Sequence, residues 1–257
     1  MAETDKDHYS VILDQFSKQA IPFSNIPEHS DKLVFELILK TVNASKYDNV
    51  LDVACGPGLM TSAFAKSVKE VTGIDMTPAM IDRAQEIQKK NNIKNIQYDI
   101  GDSYSLPYGD DSFSLVVTRY SFHHYLYPEN AMAEMKRVCK PGGRIAVIDV
   151  SPPPEKQVYY DEVETIRDPS HTKALTPDEF LEIAHSAALK NIKTEFYKLE
   201  RELEDQIACS FPKEGGADKM REIFSKDLDL NQTGFEPKKI GDEIFIYYPN
   251  IIIVGEK

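Results

Sequence analysis

Val50-Leu-Asp-Val-Ala-Cys-Gly-Pro-Gly58 decides the fold. A short apolar run ends in Gly-x-Gly, the pattern of a buried strand that turns tightly into a helix. Working outward, residues 59–67 read as that helix and 70–75 as a second strand. Pro78 stands at a helix start, where its missing N–H costs nothing, and Met80, Ala84 and Ile87 share one face of a helix over 79–90. Strands follow at 95–100 and 114–118, then a helix over 128–139 stopped by Lys140-Pro-Gly-Gly143, and a fifth strand at 144–149. Strands alternating with helices predict right-handed crossovers and a parallel sheet covered on both faces.

A Gly-x-Gly turn alone also suits a purely structural bend. Its surroundings say more. The glycines let a ligand approach the backbone, and the helix start offers free N–H donors. Asp75 closes the second strand 19 residues beyond Gly56, the spacing at which an acid meets a ribose in nucleotide-binding units. The third glycine of the dinucleotide pattern would fall at Thr61 and is absent. Asp52 stands just before the turn, which suits a ligand bearing an ammonium better than one bearing a pyrophosphate. Asp75 is expected to face an open crevice and to be solvated there.

These residues resemble the class I S-adenosylmethionine (SAM) methyltransferases. Leu51-Asp-Val-Ala-Cys-Gly-Pro-Gly58 is similar to their first motif and Gly73-Ile-Asp-Met76 to their second. Gly101-Asp-Ser-Tyr-Ser-Leu-Pro-Tyr108 resembles their Gly-Asp-Ala-x-x-Leu-Pro-Phe segment. Phe113-Ser-Leu-Val-Val-Thr118 and Cys139-Lys-Pro-Gly-Gly143 follow in the expected order. The set looks like the small-molecule branch typified by ubiquinone- and menaquinone-biosynthesis enzymes. It covers about residues 46–150; Gln15-Phe-Ser-Lys-Gln-Ala20 and Arg167-Asp-Pro-Ser-His171 also look like pieces of that branch.

The resemblance implies a Rossmann-like α/β fold. Its sheet would have seven mostly parallel strands, an antiparallel last strand and helices on both faces. The whole chain, 1–257, is expected to be one domain. Its core would be about 46–150, 176–199 and 244–257, and a helical cap would come from about 1–45, 151–175 and 200–243. Residues 31–42 look like an amphipathic helix of that cap. The resemblance also implies roles. Asp52, Gly56 and Gly58 would hold the methionine moiety, with Ala54 and Pro57 in the same loop. Asp75 would bind the ribose diol and Met76 would pack on adenine. Asp102 would take the adenine amino group, with Gly101 and Ser103 beside it. Thr118 and Arg119 would lie beneath the methionine end.

Methyl transfer from a sulfonium needs proximity and exclusion of water, and a base only if the acceptor must lose a proton. Arg119-Tyr-Ser-Phe-His-His-Tyr125 falls on the acceptor side. His123 and His124 are the candidate bases, although two neighbours on an extended chain cannot both face one small site. Tyr120, His123, His124 and His171 are the candidate acceptor contacts; His171 could equally cap the helix that begins near Thr176. Tyr159, Tyr160, Phe211 and Phe235 could line an apolar pocket or simply pack, and Lys198-Leu-Glu-Arg-Glu-Leu-Glu-Asp205 reads as a solvated face. No further ligand-type side chain stands at helical spacing beside the histidines, so no metal is expected.

Composition bounds the partners. With 30 Lys+Arg against 42 Asp+Glu, the net charge of −12 disfavours nucleic acid and anionic membrane. The segment after the fourth strand, Thr118-Arg-Tyr-Ser121, lacks the Asn/Asp-Pro-Pro-Tyr of base- and amide-methylating relatives. The expected partner is therefore a small-molecule acceptor, with SAM as methyl donor and S-adenosylhomocysteine (SAH) as product, in a monomer or homodimer. The first seven residues carry no apolar core, and the 3 cysteines are far apart, which points to the cytoplasm. A SAM-binding sensor or partner subunit without methyl transfer is the alternative; it would keep the glycine loop but need no acceptor residues. A nicotinamide dehydrogenase is disfavoured by Thr61 and Asp52.

Overall fold

Alternation of apolar side chains along each strand builds two cores on one sheet. The computed structural model describes residues 3–24 and 32–257. Five strands run parallel: β1 (Asn49–Val53), β2 (Glu70–Asp75), β3 (Ile96–Ile100), β4 (Phe113–Arg119) and β5 (Cys139–Val150). Three more follow: β6 (Lys190–Glu202), β7 (Lys238–Ile240) and β8 (Glu243–Glu256). The order is β3-β2-β1-β4-β5-β8-β6, with β8 antiparallel to both β5 and β6. This is the expected seven-stranded sheet with its antiparallel last strand. The short β7, which pairs with β8, is an additional strand that the sequence reading lacked.

Successive side chains point to opposite faces of a strand. Leu51, Val53, Val116 and Val147 therefore pack on one side against α5 (Pro128–Val138) and α7 (Pro177–Ser186). Val50, Leu115, Val117 and Ile148 pack on the other against α2 (Lys32–Thr41) and α3 (Leu59–Phe64). The helix expected over 31–42 is α2; its first residue, Asp31, lies outside the described residues. The helix α4 (Pro78–Lys90) buries Met80, Ile81 and Ala84. β8 runs as one strand through Pro249. The Pro249 carbonyl accepts from the Ser151 N–H at 2.8 Å, just past the last β5 pair, Val150 with Asn250. The N–H that proline lacks falls on that same side, at the end of the β5 pairing, so the pairing with β6 loses no bond.

The remaining helices gather over the carboxyl ends of the strands. They are α1 (Glu3–Ser24), α6 (Gln157–Arg167), α8 (Leu203–Ser210) and α9 (Gly216–Asp227). A third core joins Tyr160, Phe224 and Phe235 to Leu199, Ile246 and Tyr248 at the long ends of β6 and β8. Tyr160 and Phe235 stack at 4.2 Å within it, while Tyr159 and Phe211 are exposed. None of these four aromatics lines a site cavity. The charge run 198–205 is split between the end of β6 and the start of α8, and Arg201 is buried, not solvated.

Candidate active site

The loop after β1 bends because three of its residues take left-handed backbone: Ala54, Gly56 and Gly58, with φ of 53°, 54° and 74°. Asp75, at the end of β2, holds this loop in place. One carboxylate oxygen accepts from the Gly56 N–H and the other from the Thr77 N–H, both at 2.8 Å. The residue is buried, which corrects the expectation of a solvated acid. Gly58 serves packing, because a Cβ there would fall 2.3 Å from the Tyr98 hydroxyl. Thr61, at the position of the missing third glycine, donates its hydroxyl to Asp52 Oδ2 at 2.6 Å.

The cleft above this loop has a volume of about 870 Å³, its open mouth included. Asp52, Ala54, Gly56, Pro57, Asp75 and Met76 line it from β1 and β2. Ser103, Arg119, Tyr120 and His124 line it from the later loops. Gly58, Gly101, Asp102 and Thr118, expected at the cofactor, do not line it. Gly101 abuts Ile74, and the Thr118 hydroxyl is turned into the sheet, donating to the Val53 carbonyl at 2.7 Å. Asp102 accepts from the Tyr104 N–H and from the hydroxyl of Tyr9 on α1. Sequence reasoning missed the roof of the cleft, Ile12 and Phe16 on α1. The Gln15–Ala20 segment was the available signal.

Asp52 fits a ligand bearing an ammonium. Its Oδ1 is buried and makes no hydrogen bond among the described residues. Burial pushes the Asp52 carboxyl up to about 7; Asp75 adds to the rise, and Thr61 and Arg119 oppose it. Burial also raises Asp75, against the two backbone N–H groups. Arg119 is held between the rings of Phe35 and Tyr120 at 5.1 and 4.5 Å. Burial would lower its pKa, but Tyr120 and Tyr197 outweigh that and raise it, so the cleft pairs an acid with a permanent cation, as an amino-acid end requires. The residues present thus fit the methionine end of SAM.

A second cavity of about 640 Å³ adjoins the cleft, and Phe16, Tyr120 and His124 line both. The two histidines approach it because residues Phe122–His124 form a 3-10 turn instead of extended chain. Their rings lie 4.1 Å apart, with His123 lining the second cavity only. His123 Nδ1 lies 2.5 Å from Asp149 Oδ1, while Asp149 Oδ2 accepts the N–H groups of Ser121 and Phe122. Burial alone would depress the His123 pKa; Asp149 outweighs it, and the net shift is upward. His124 Nδ1 donates to the Ser170 carbonyl at 3.0 Å. Burial, then the neighbouring His123, holds its pKa well below the ordinary value.

His171 lines neither cavity. It stands behind His123, 5.7 Å ring to ring, and bonds through Nε2 to Asp161 at 2.7 Å. Thr176 itself caps α7, in a reciprocal box with Glu179. Sequence reasoning missed Asp149, Arg201 and Tyr248, the last two of which line the second cavity. It also missed the buried pair of Arg167 with Glu164, joined by two bonds of 2.8 and 2.7 Å.

A family model described as a methyltransferase domain matches residues 51–147. The chain is 32% identical over 168 residues to the uncharacterized methyltransferase YcgJ of Bacillus subtilis, covering 62% of this chain and 66% of that one. It is 30% identical over 168 residues to a demethylmenaquinone methyltransferase of Staphylococcus epidermidis, covering 62% and 69%. The match thus spans about two thirds of these relatives' length. The crystal structure of YcgJ superposes with a TM-score of 0.81 at 24% identity, over 88% of this chain and 99% of that one. The chain belongs to the class I SAM-dependent methyltransferases. Among the described residues, no group of three or more His, Cys, Asp or Glu could hold a metal ion, and no helix is long and apolar enough to cross a membrane.

Proposed function

We propose that the whole chain acts as one methyltransferase domain that moves the methyl group of SAM to a small organic acceptor. The observation that carries this reading is the meeting of the two cavities at Phe16, Tyr120 and His124. When bound, SAM supplies a methyl group already activated on a sulfonium. Asp52 and Arg119 hold the charged amino-acid end, with Gly56 and Pro57 closing around it. Asp75 takes the ribose hydroxyls, while Met76 and Ser103 border the adenine. Asp102 reaches the same end from behind Ser103. Ile12 and Phe16 exclude water from above, and orientation with exclusion of water is most of what an in-line displacement needs.

The acceptor occupies the second cavity, against Tyr120, His123 and His124. Demethylmenaquinone methyltransferases among the relatives support a small organic acceptor. Three buried free thiols suit a reducing compartment such as the cytoplasm. Incubation with methyl-labelled SAM and a fractionated metabolite extract tests the reading. Label is expected in a small-molecule fraction, dependent on the protein and suppressed by SAH. SAM binding with no label transferred to any fraction would support a sensor or partner subunit instead.

A further inference from the structure

Asp149 is a buried acid that no binding role claims. It closes β5 beneath the histidine turn and has 0% exposure. One oxygen takes two backbone N–H groups of that turn; the other is bonded to His123 Nδ1. A carboxylate on Nδ1 fixes the tautomer and leaves Nε2 as the basic nitrogen, the arrangement that makes histidine an effective proton acceptor. His123 Nε2 makes no hydrogen bond among the described residues, and the ring lines the second cavity. His124 differs: a carbonyl occupies its Nδ1, so a proton gained there would lack a bonded counter-charge.

Resting on the methyltransferase reading above, we infer that Asp149 and His123 form a proton-accepting dyad and that the acceptor reacts through an acidic hydroxyl, phenolic or enolic. The remaining lining of the cavity favours this class. Tyr248 lines the cavity, and its buried hydroxyl makes no hydrogen bond among the described residues. Arg201 lines the same space, its guanidinium steadied by a bond from Nε to Gln206. A hydroxyl donor and a cation suit an oxygen that gains negative charge. A thiol ionises near neutrality without such help, whereas a phenol, with a pKa near that of tyrosine at about 10, does not. An amine attacks through its neutral lone pair and needs no proton acceptor beforehand.

In the step itself the O–H proton passes to His123 Nε2 while the oxygen forms its bond to the methyl carbon. The carbon–sulfur bond breaks, and its electron pair stays on sulfur. The positive charge lost from sulfur reappears on the imidazolium, beside Asp149. Asp149 is thus a positioning residue and His123 the group that meets the acceptor. The charged and titratable groups around His123 are Asp149, His124, His171, Glu164 and Arg167.

The test uses 4-nitrophenol, whose ionised form is yellow, with the SAH-loaded protein. One pH unit below the probe's solution pKa, about a tenth of it is ionised in buffer. On the wild type, most of the bound probe is expected as phenolate, at least a fivefold rise in ionised fraction. His123→Gln should return the bound probe to the buffer fraction, and Asp149→Asn should do the same without changing SAH affinity. Should Asp149→Asn fail to fold, His123→Gln decides, since it leaves Asp149 and its backbone bonds in place. A probe that binds neutral, stays unbound, or remains ionised on His123→Gln overturns the proposal. Calorimetry of SAH alone separates the two levels: failure to bind SAH would overturn the methyltransferase reading itself.

Discussion

Asp75 binds protein before it binds ligand. Its carboxylate satisfies the Gly56 and Thr77 N–H groups, so Asp75→Ala should act twice. Loss of hydrogen bonds to a charged group, about 1.5–3 kcal/mol, is expected to weaken SAM binding by roughly 10- to 150-fold. Leaving two N–H groups without their acceptor should also lower folding stability by about 1–3 kcal/mol. Titration calorimetry beside denaturant midpoints reads both; full affinity in a destabilised variant would reduce Asp75 to a structural brace. Asp52 makes a different prediction. Burial lifts its pKa to about 7, so the folded protein holds a proton there that the unfolded chain releases. Stability from this group is therefore gained as pH falls from about 7 toward the ordinary carboxylate value, and lost as pH rises. Binding an ammonium requires the ionised form, so SAM affinity should fall by up to about tenfold per pH unit below 7. Asp52→Asn should bind weakly at every pH. Asp52, Asp75 and Met76 were legible in the sequence because their meaning lies in local spacing to one strand–turn–helix unit. Asp149, Arg201 and Tyr248 were not. Asp149 meets His123 across 26 residues of chain, and Arg201 is buried against Gln206 and Cys209 of α8, a helix hidden in the charge run.

At the scale of elements, α1 covers the cleft with Ile12 and Phe16. It buries little apolar surface and is held by polar contacts that reach separate loops. His8 bonds the His124 carbonyl, Tyr9 bonds Asp102, and Gln15 bonds the Ser210 carbonyl. Few apolar contacts mean a low local opening energy. Hydrogen exchange in α1 should therefore be faster than in β1 and β4, and SAM should slow it by at least about tenfold. Unchanged exchange in α1 with saturating SAM would show that the helix is no lid. The sheet and its flanking helices were readable because period-2 and period-3.6 patterns are local and strong there. The helices α6 and α8 were not separately read. The charge run disguised α8, since Glu202 ends β6 and at the same time caps α8 through the Asp205 N–H at 2.8 Å.

For the whole molecule, the helix α6 and the turn after it hold charges taken out of water. Burial would raise the Glu164 and Asp168 carboxyls. Arg167 outweighs this at Glu164, and His124 with Arg167 at Asp168, leaving Glu164 below its ordinary value and Asp168 at about 2. Stability from these two acids is complete above the ordinary carboxylate range and lost as pH falls through their folded values. His124 acts with the same sign at higher pH: kept neutral by burial, it costs stability once pH drops below the ordinary histidine value. Urea midpoints should accordingly fall below pH 4, where Glu164 and Asp168 take up protons, while between pH 7 and 4 His124 lowers stability and Asp52 raises it. Arg167→Ala should destabilise by about 3–5 kcal/mol, because it strands a buried carboxylate, while Glu164→Gln should cost less. A midpoint unchanged by Arg167→Ala would mean that the cap does not depend on this pair. The central claim is that the cleft built on Asp52, Gly56 and Asp75 is a SAM site. Titration calorimetry of the wild type and Asp75→Ala with SAH, run beside NAD, tests it most directly. The expected result is one SAH per chain on the wild type, at least about tenfold weaker on Asp75→Ala, with no heat from NAD; binding of NAD but not SAH, or equal SAH affinity in both proteins, would contradict it.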